Sequence, residues 1–462
     1  MRNRTLLLPL CFLIFPFMLR TQEKVANLPD AQQLQDQIQK ENPGSSLDTP
    51  AGAAGEPLTR QQTEQLALKN NPRISVAALL ALAQKQVVRE TRSALLPALN
   101  GNLTGVDAAE GSRMSAGSLT ASRLLYHVGA GLDFSQLITD FGHTQNLVAS
   151  SRLQAKASEQ NAQATREDIV LAADLAFYST LEAQATLEIA ESTVKAREAV
   201  GDQVDALTAN SLKSTLDQSF AQVNLSQAKL LDLDSQNQFD AAMANLSEVL
   251  GTRSDHDYHL VDDTSLPPPA ASSAEAVIAL ALQQRPDLLA LKLNHDADVR
   301  FSRAQHELLL PTISGLGIVG VTPVGSSTYF TQNWYGAAGV NVSIPIFNGF
   351  KFHAEAAEAG LHAQASDEQS RVLADRIVRD VRRAWLTANT AQQRMSVTAE
   401  LVKEANAALD LADTRYRLGL SSIVELSQAQ LQQTQAQIAD ADARFEYEAD
   451  LAALRFQSGS QP

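Results

Sequence analysis

Strict alternation of apolar and polar residues marks four short stretches of the chain, and long runs at helical spacing separate them. Tyr126, Val128, Ala130, Leu132 and Phe134 interleave with His127, Gly129, Gly131, Asp133 and Ser135, which gives a strand one apolar and one polar face. Val340, Val342, Ile344 and Ile346 alternate with Asn341 and Ser343 in the same way, and Leu99, Gly101, Leu103 and Gly105 with Asn100, Asn102 and Thr104. Residues 312–321 are Gly-rich and apolar with weaker alternation. The pattern predicts strands near 98–108, 123–137, 311–322 and 333–346, two to each half of the chain.

Between them the pattern predicts helices of unusual length. No proline lies between Pro97 and Pro267, or between Pro345 and Pro462, and proline is the residue that stops a helix most strongly. One helix is expected over residues 144–210, interrupted only by Gly201. At 1.5 Å per residue it would run about 100 Å. Residues 351–418 offer a second, with Gly360 alone inside, and shorter helices follow over 212–250 and 421–456. Ala-rich faces let such helices approach closely, so a coiled-coil wall is the expected packing.

The two halves repeat one another. Asn71-Pro72-Arg73-Ile74 matches Arg285-Pro286-Asp287-Leu288, and Leu95-Leu96-Pro97 matches Leu309-Leu310-Pro311, both displaced by 214 residues (286 − 72 and 311 − 97). Further on the displacement is 208: Gly131 with Gly339, Phe177 with Trp385, Asp217 with Glu425, and Gly251 with Gly459 (459 − 251). Six residues are therefore missing from the second copy between the positions of Pro97 and Gly131, where a loop tolerates the loss. The expected organisation is a first repeat over 59–251, a linker over 252–273 stopped by Pro267-Pro268-Pro269, and a second repeat over 274–459.

The ends and the composition narrow the class. Met1, Arg2 and Arg4 precede an apolar run over 6–19, too short for a comfortable transmembrane helix, so residues 1–26 read as a secretory signal peptide. Pro29, Pro43, Gly44, Pro50 and Pro57 punctuate a polar flexible leader over 27–58. The one cysteine, Cys11, falls within the signal and follows Leu10 rather than a small residue, which disfavours lipid attachment. Its removal leaves neither disulfides nor thiolate metal sites. A net charge of −15 argues against nucleic acid as a partner.

No G-x-S-x-G, Walker, H-E-x-x-H or dinucleotide pattern stands in a fitting context, so no catalytic residue, metal or cofactor is expected. The cluster Asp255-His256-Asp257-Tyr258-His259 has ligand types but reads as a solvated loop of the linker. The strands are about 10 residues long, the reach of a tilted membrane-spanning strand, and Trp334 and Tyr335 stand where an interfacial aromatic girdle would be. Four strands cannot close a barrel, whose practical minimum is about 8, so chains would have to pool them. Two hairpins packed on a soluble core are the alternative.

Over residues 59–459 the chain resembles the TolC family of outer-membrane efflux proteins. Phe347-Asn348-Gly349-Phe350-Lys351 is similar to the family's F-D-G-G-R, with Thr139-Asp140-Phe141-Gly142-His143 as its partner in the first copy. Arg415-Tyr416-Arg417-Leu418-Gly419-Leu420, followed by Ser422-Ile423-Val424-Glu425-Leu426, is similar to the family's R-Y-x-x-G turn and acidic helix start. The resemblance implies a mainly α fold with membrane strands: a homotrimer with a shared 12-stranded β-barrel and a long periplasmic α-helical barrel. It further implies a passive exit duct in the outer membrane of a Gram-negative-type bacterium, contacting lipid and working with a periplasmic adaptor and an inner-membrane pump. The exit channel of a type I protein-secretion system would share these features. A soluble periplasmic coiled-coil scaffold is the alternative from another class.

The resemblance also implies site residues. Asp217 and Tyr416 match a pair bridging neighbouring hairpins in the closed gate, and Glu425 matches one acid of a constricting ring. Ser211, Leu212, Gly419 and Leu420 would form the adaptor-contacting tip. Gln428 and Ser421 depart from the family pattern, standing where a second acid and a closing arginine can occur, and Ser211 replaces the tip glycine of the first copy. Read from the residues alone, Gly419 ends a helix in the left-handed conformation, and Ser421 or Ser422 caps the next. Asp217 and Glu425 equally suit ordinary helix amino-terminal acids. His127 and Asp133 would face a lumen, although the polar face of a soluble sheet explains them too.

Overall fold

A computed structural model of the chain describes residues 57–107, 114–116, 119–122, 126–210, 213–252, 258–262, 273–321 and 334–459. The expected signal peptide lies outside the described residues, as do all but the last two residues of the expected leader. Ser211, Leu212 and the Asp255-His256-Asp257 stretch of the linker lie outside them as well.

The first copy runs β1 (Pro57–Leu58), α1 (Arg60–Asn70), α2 (Pro72–Ser93), β2 (Ala98–Asp107), β3 (Met114–Ala116), β4 (Leu119–Ser122), β5 (Tyr126–Thr139), α3 (His143–Ala209) and α4 (Thr215–Leu250). The second runs β6 (His259–Leu260), α5 (Ala274–Gln284), α6 (Pro286–Glu307), β7 (Thr312–Val321), β8 (Trp334–Ser343), α7 (Lys351–Arg417) and α8 (Ile423–Ser458). Equivalent helices have equal lengths: 67 residues in α3 and α7, and 36 in α4 and α8. The six-residue difference falls between β2 and β5, in the connection that carries the small antiparallel hairpin β3–β4.

Local chemistry sets the helix boundaries. Asn71 Oδ1 accepts from the Arg73 N–H at 3.0 Å and Pro72 opens α2, where its missing N–H costs nothing. Gly251 ends α4 at φ 70°, and a Cβ there would stand 2.8 Å from the Asn70 carbonyl oxygen. Gly459 ends α8 at the same φ, and a Cβ there would stand 3.1 Å from the Arg285 backbone nitrogen. Each copy thus closes its fourth helix onto the junction of its first two, at a point only glycine fits.

The four long strands form one antiparallel sheet in the order β2-β5-β7-β8, so the two hairpins join through β5 and β7 and leave β2 and β8 as edges. Registers Leu99↔Phe134, Gly101↔Leu132, Leu132↔Val319 and Val319↔Gly336 put alternate residues on common faces. Leu99, Leu103, Leu132, Phe134, Val319, Val321, Trp334, Val340 and Val342 share one face, and all are exposed. Asn100, Asn102 and Asp133 lie on the other.

Two details differ from the alternation pattern. β8 stops at Ser343, so Ile344 and Ile346 fall outside it, because Pro345 has no N–H to continue a ladder. Only Trp334 reaches the apolar face. Tyr335, its neighbour in a pleated strand, turns to the opposite side and lies across Gly131 and Gly320, where a Cβ would collide with its ring or hydroxyl. Trp334 and Tyr335 therefore cannot share one girdle, since successive side chains point to opposite faces.

Small residues seam the long helices at seven-residue steps. Ala356, Ala363, Ser370 and Ile377 continue on α7 as Ala391, Thr398, Ala405 and Ala412, all buried; Ala429, Ala436 and Ala443 do the same on α8, and Ala221, Ala228 and Ser235 on α4. That repeat is the seam of a left-handed coiled coil, and small side chains bring its axes close together. The larger core side chains gather where the short helices meet the long ones: Ile169, Phe177, Tyr178 and Leu181 of α3 against Leu246 and Leu250 of α4. Leu58 and Leu260 join them through the parallel pair β1–β6, so the described residues at the end of the leader and within the linker are pinned to this core.

A buried polar knot ties α1, α3 and α8 beside it. Arg60 pairs with Glu64 and stands 3.6 Å from Asp174, while the Tyr178 hydroxyl donates to Glu448 at 3.4 Å. Burial, reinforced by the Glu64 carboxylate and opposed by Arg60, pushes the Asp174 carboxyl up to about 7. A carboxyl raised on folding supports the fold fully below its ordinary range near 3.8, and that support is lost as pH climbs towards 7. Asp174→Asn cannot ionise, so it should unfold at a higher temperature than the native protein at pH 8, with the gap shrinking at pH 5. Equal destabilisation at both pH values in thermal unfolding would contradict this.

Candidate functional site at the helical tips

The far ends of α3, α4, α7 and α8 converge on Tyr416. Its ring is buried at 4% exposure among Val204, Ala221, Ile423 and Leu426, and the Lys213 ammonium sits 4.1 Å from its centroid. A cation at that distance is held by the ring quadrupole. The Tyr416 hydroxyl is buried with no hydrogen-bond partner among the described residues. Burial raises the phenol's pKa, and the negative charge of Asp217 adds to the effect.

Asp217 and Tyr416 are thus neighbours without being hydrogen-bonded to each other. The Asp217 carboxylate is occupied by its own helix start: Oδ2 accepts from the Ser214 N–H at 3.1 Å and from the Ser214 hydroxyl at 2.9 Å, while Ser214 Oγ accepts from the Asp217 N–H at 3.2 Å. This reciprocal capping box realises the helix-terminal role of the acid. Glu425 holds the same place in α8, where its N–H donates to Ser422 Oγ at 3.4 Å. Its carboxylate pairs with Arg415 Nε at 3.1 Å, both side chains about half exposed.

The second tip closes as a Schellman turn. The Gly419 N–H donates to the Tyr416 carbonyl at 3.0 Å and the Leu420 N–H to the Arg415 carbonyl at 2.8 Å, with Gly419 at φ 71°. Ser422 provides the cap, and Ser421 Oγ is buried without a partner among the described residues. Leu418 and Leu420 stand out into solvent on either side of the glycine. At the first tip Asn210 Nδ2 donates to the Ala206 carbonyl at 2.8 Å, and Ser211 and Leu212 lie outside the described residues.

On the sheet, Asp133 accepts from Asn100 Nδ2 at 3.0 Å and also from Asn102 Nδ2, so its charge is held by two amides of β2. His127 pairs with Val106 in the ladder, and its side chain lies outside the described residues. Among the described residues no three His, Cys, Asp or Glu side chains gather as a metal site.

Sequence reasoning missed the two cations of the tips, Lys213 and Arg415. Arg415 was legible as the first residue of the R-Y-x-x-G turn, whereas nothing in the sequence places Lys213 on a ring of the other repeat. It also missed Asn224, whose amide donates to Ser427 Oγ at 2.6 Å and links α4 to α8 behind the tips.

Two tandem copies of a long helical hairpin, carried on one open antiparallel sheet, define a class of envelope channel subunits. The sequence profile of the outer membrane efflux protein family matches residues 64–252 and 277–460, and the chain belongs to that family. It is 24% identical over 371 residues to outer membrane protein OprJ of Pseudomonas aeruginosa, across 79% of this chain and 76% of OprJ. It is 24% identical over 418 residues to outer membrane protein TolC of Vibrio cholerae, across 85% of this chain and 89% of TolC. The crystal structure of outer membrane protein VceC from Vibrio cholerae shares the fold with a TM-score of 0.74 at 18% identity, covering 87% of this chain and 96% of VceC.

Because Tyr416 joins both hairpins, Tyr416→Ala should cost about 3–5 kcal/mol locally and speed hydrogen exchange at the ends of α3 and α7. Tyr416→Phe removes only an unpartnered hydroxyl and should change stability by less than about 1 kcal/mol. Hydrogen exchange read by mass spectrometry checks both, and equal protection in all three proteins would show the ring to be dispensable.

Proposed function

We propose that the chain is one protomer of a homotrimeric exit duct of a tripartite efflux system. The observation that carries this is the sheet: four strands with one continuous exposed apolar face, unpaired edges at β2 and β8, and helices of about 100 Å leading away from it. An open edge in hydrocarbon would leave row after row of backbone groups unsatisfied, each at a cost of several kcal/mol. Pairing β8 of one copy with β2 of the next removes every edge, and three copies supply 12 strands. Among the described residues no helix is long and apolar enough to cross a membrane; the sheet face supplies the lipid-facing surface.

The sheet-to-helix turns support the same placement. Phe141-Gly142 and Gly349-Phe350 occupy equivalent positions in the two copies, all four at positive φ, and both phenylalanines are exposed. Left-handed backbone at phenylalanine is strained, and an interfacial anchor at the base of a barrel gives that strain a use. Trp334 lies at the opposite end of the apolar face. The helices then form a periplasmic wall whose tips, with Gly419, Leu420, Ser211 and Leu212, meet an adaptor that connects to an inner-membrane pump. Transport is passive: small molecules or cations pass a gate built from Asp217, Tyr416 and Glu425, and opening separates the hairpins that Tyr416 joins.

In detergent the protein should have the mass of three chains and conduct ions in planar bilayers; a stable, non-conducting monomer would overturn the proposal. Asp217→Ala combined with Tyr416→Phe should raise single-channel conductance, since it removes a charge and a hydroxyl that lie near each other at the tip. Unchanged conductance would withdraw the gate role from this pair while leaving the duct intact.

A further inference from the structure

Arg197 breaks the small-residue seam of α3. The seven-residue row runs Val148, Ala155, Ala162, Ile169, Ala176, Ala183, Ala190, Arg197 and Val204, and the flanking Ala190 and Val204 are both at 0% exposure. The position equivalent to Arg197 in the second copy is Ala405 (405 − 197 = 208), so the charge is peculiar to the first. Arg197 is 8% exposed, forms no hydrogen bond or ion pair with any described residue, and its Nη1 is fully buried without a partner. Burial alone, with no carboxylate to counter it, lowers the guanidinium to about 10, so it stays cationic at neutral pH.

The side chain opens onto a cavity of about 200 Å³ between α3, α7 and α8. No acidic residue lines it. The hydroxyls of Ser192 and Thr193 donate to the Ile189 carbonyl and that of Thr434 to the Gln430 carbonyl, so their protons are engaged. The Gln433 amide donates to Asn406 Oδ1 at 2.9 Å. The amides of Gln430 and Gln437 are the remaining uncharged donors on its wall.

A buried guanidinium with an unmet N–H is costly unless an anion meets it. We infer that this cavity is a binding site for a small free oxyanion, held by the Arg197 guanidinium with the Gln430 and Gln437 amides around it. The planar fork of arginine suits the two-oxygen edge of a sulfate, phosphate or small carboxylate, and the volume admits one such ion with a few waters. The bound ion would neutralise the charge where α3 packs on the α7–α8 hairpin, some way behind the tips.

Thermal unfolding of the purified full chain, titrated with sodium sulfate in parallel with Arg197→Met, tests this. Sulfate stabilises folded proteins generally by exclusion from their surfaces, and both proteins share that part. As the site fills, the native protein should gain at least about 2 °C more in melting temperature than Arg197→Met gains. Equal gains would overturn the site. Should Arg197→Met fail to fold, native crystals grown with selenate decide instead. An anomalous peak within hydrogen-bond distance of the Arg197 guanidinium supports the inference, and a cavity without one refutes it.

Discussion

Backbone pairing is the constraint on which this protein depends. Apolar residues of all four strands meet on one exposed face, which suits lipid, yet the two outer strands present unpaired N–H and C=O groups that lipid cannot satisfy. Within one chain the conflict has no solution. Pro345 stops β8, left-handed turns lead from the sheet into α3 and α7, and β2 and β8 remain the unpaired edges within one chain.

The helical part solves a different problem, that of holding rods 67 residues long side by side. Ordinary cores use large side chains, but here the seams are alanine and serine at seven-residue steps. Small side chains gain less from burial per residue, and length compensates by repeating the contact many times. Large residues gather at the junctions with the short helices, around Tyr178 in the first copy and around Tyr447, Leu288 and Ile377 in the second, and at the tip around Tyr416. Asp174 and Glu448 are buried at the first-copy junction, and the Tyr416 hydroxyl is buried at the tip.

Duplication explains the symmetry between the two halves of the chain. Both copies keep a glycine where the fourth helix closes onto the junction of the first two, because the backbone there is left-handed and crowded. Elsewhere they differ: Phe-Gly in one turn is Gly-Phe in the other, Ala405 is Arg197, and the ordered Schellman turn at Gly419 has no glycine counterpart near Ser211.

Much of the architecture was legible in the sequence. The 214-then-208 displacement, the period-two stretches and the long proline-free runs sufficed for the repeats, the four strands and the length of the helices, because those properties follow from local spacing. Asp217 and Glu425 as acids in the first turn of a helix were legible for the same reason. Tertiary structure alone decided which strands are edges, that Tyr335 turns away from the face Trp334 occupies, and that Lys213 of one repeat covers the ring of Tyr416 in the other. It also decided that Arg197 faces a cavity with no carboxylate. These facts depend on contacts between residues up to about two hundred positions apart, and neither periodicity nor motif carries information over that distance once the two copies have diverged.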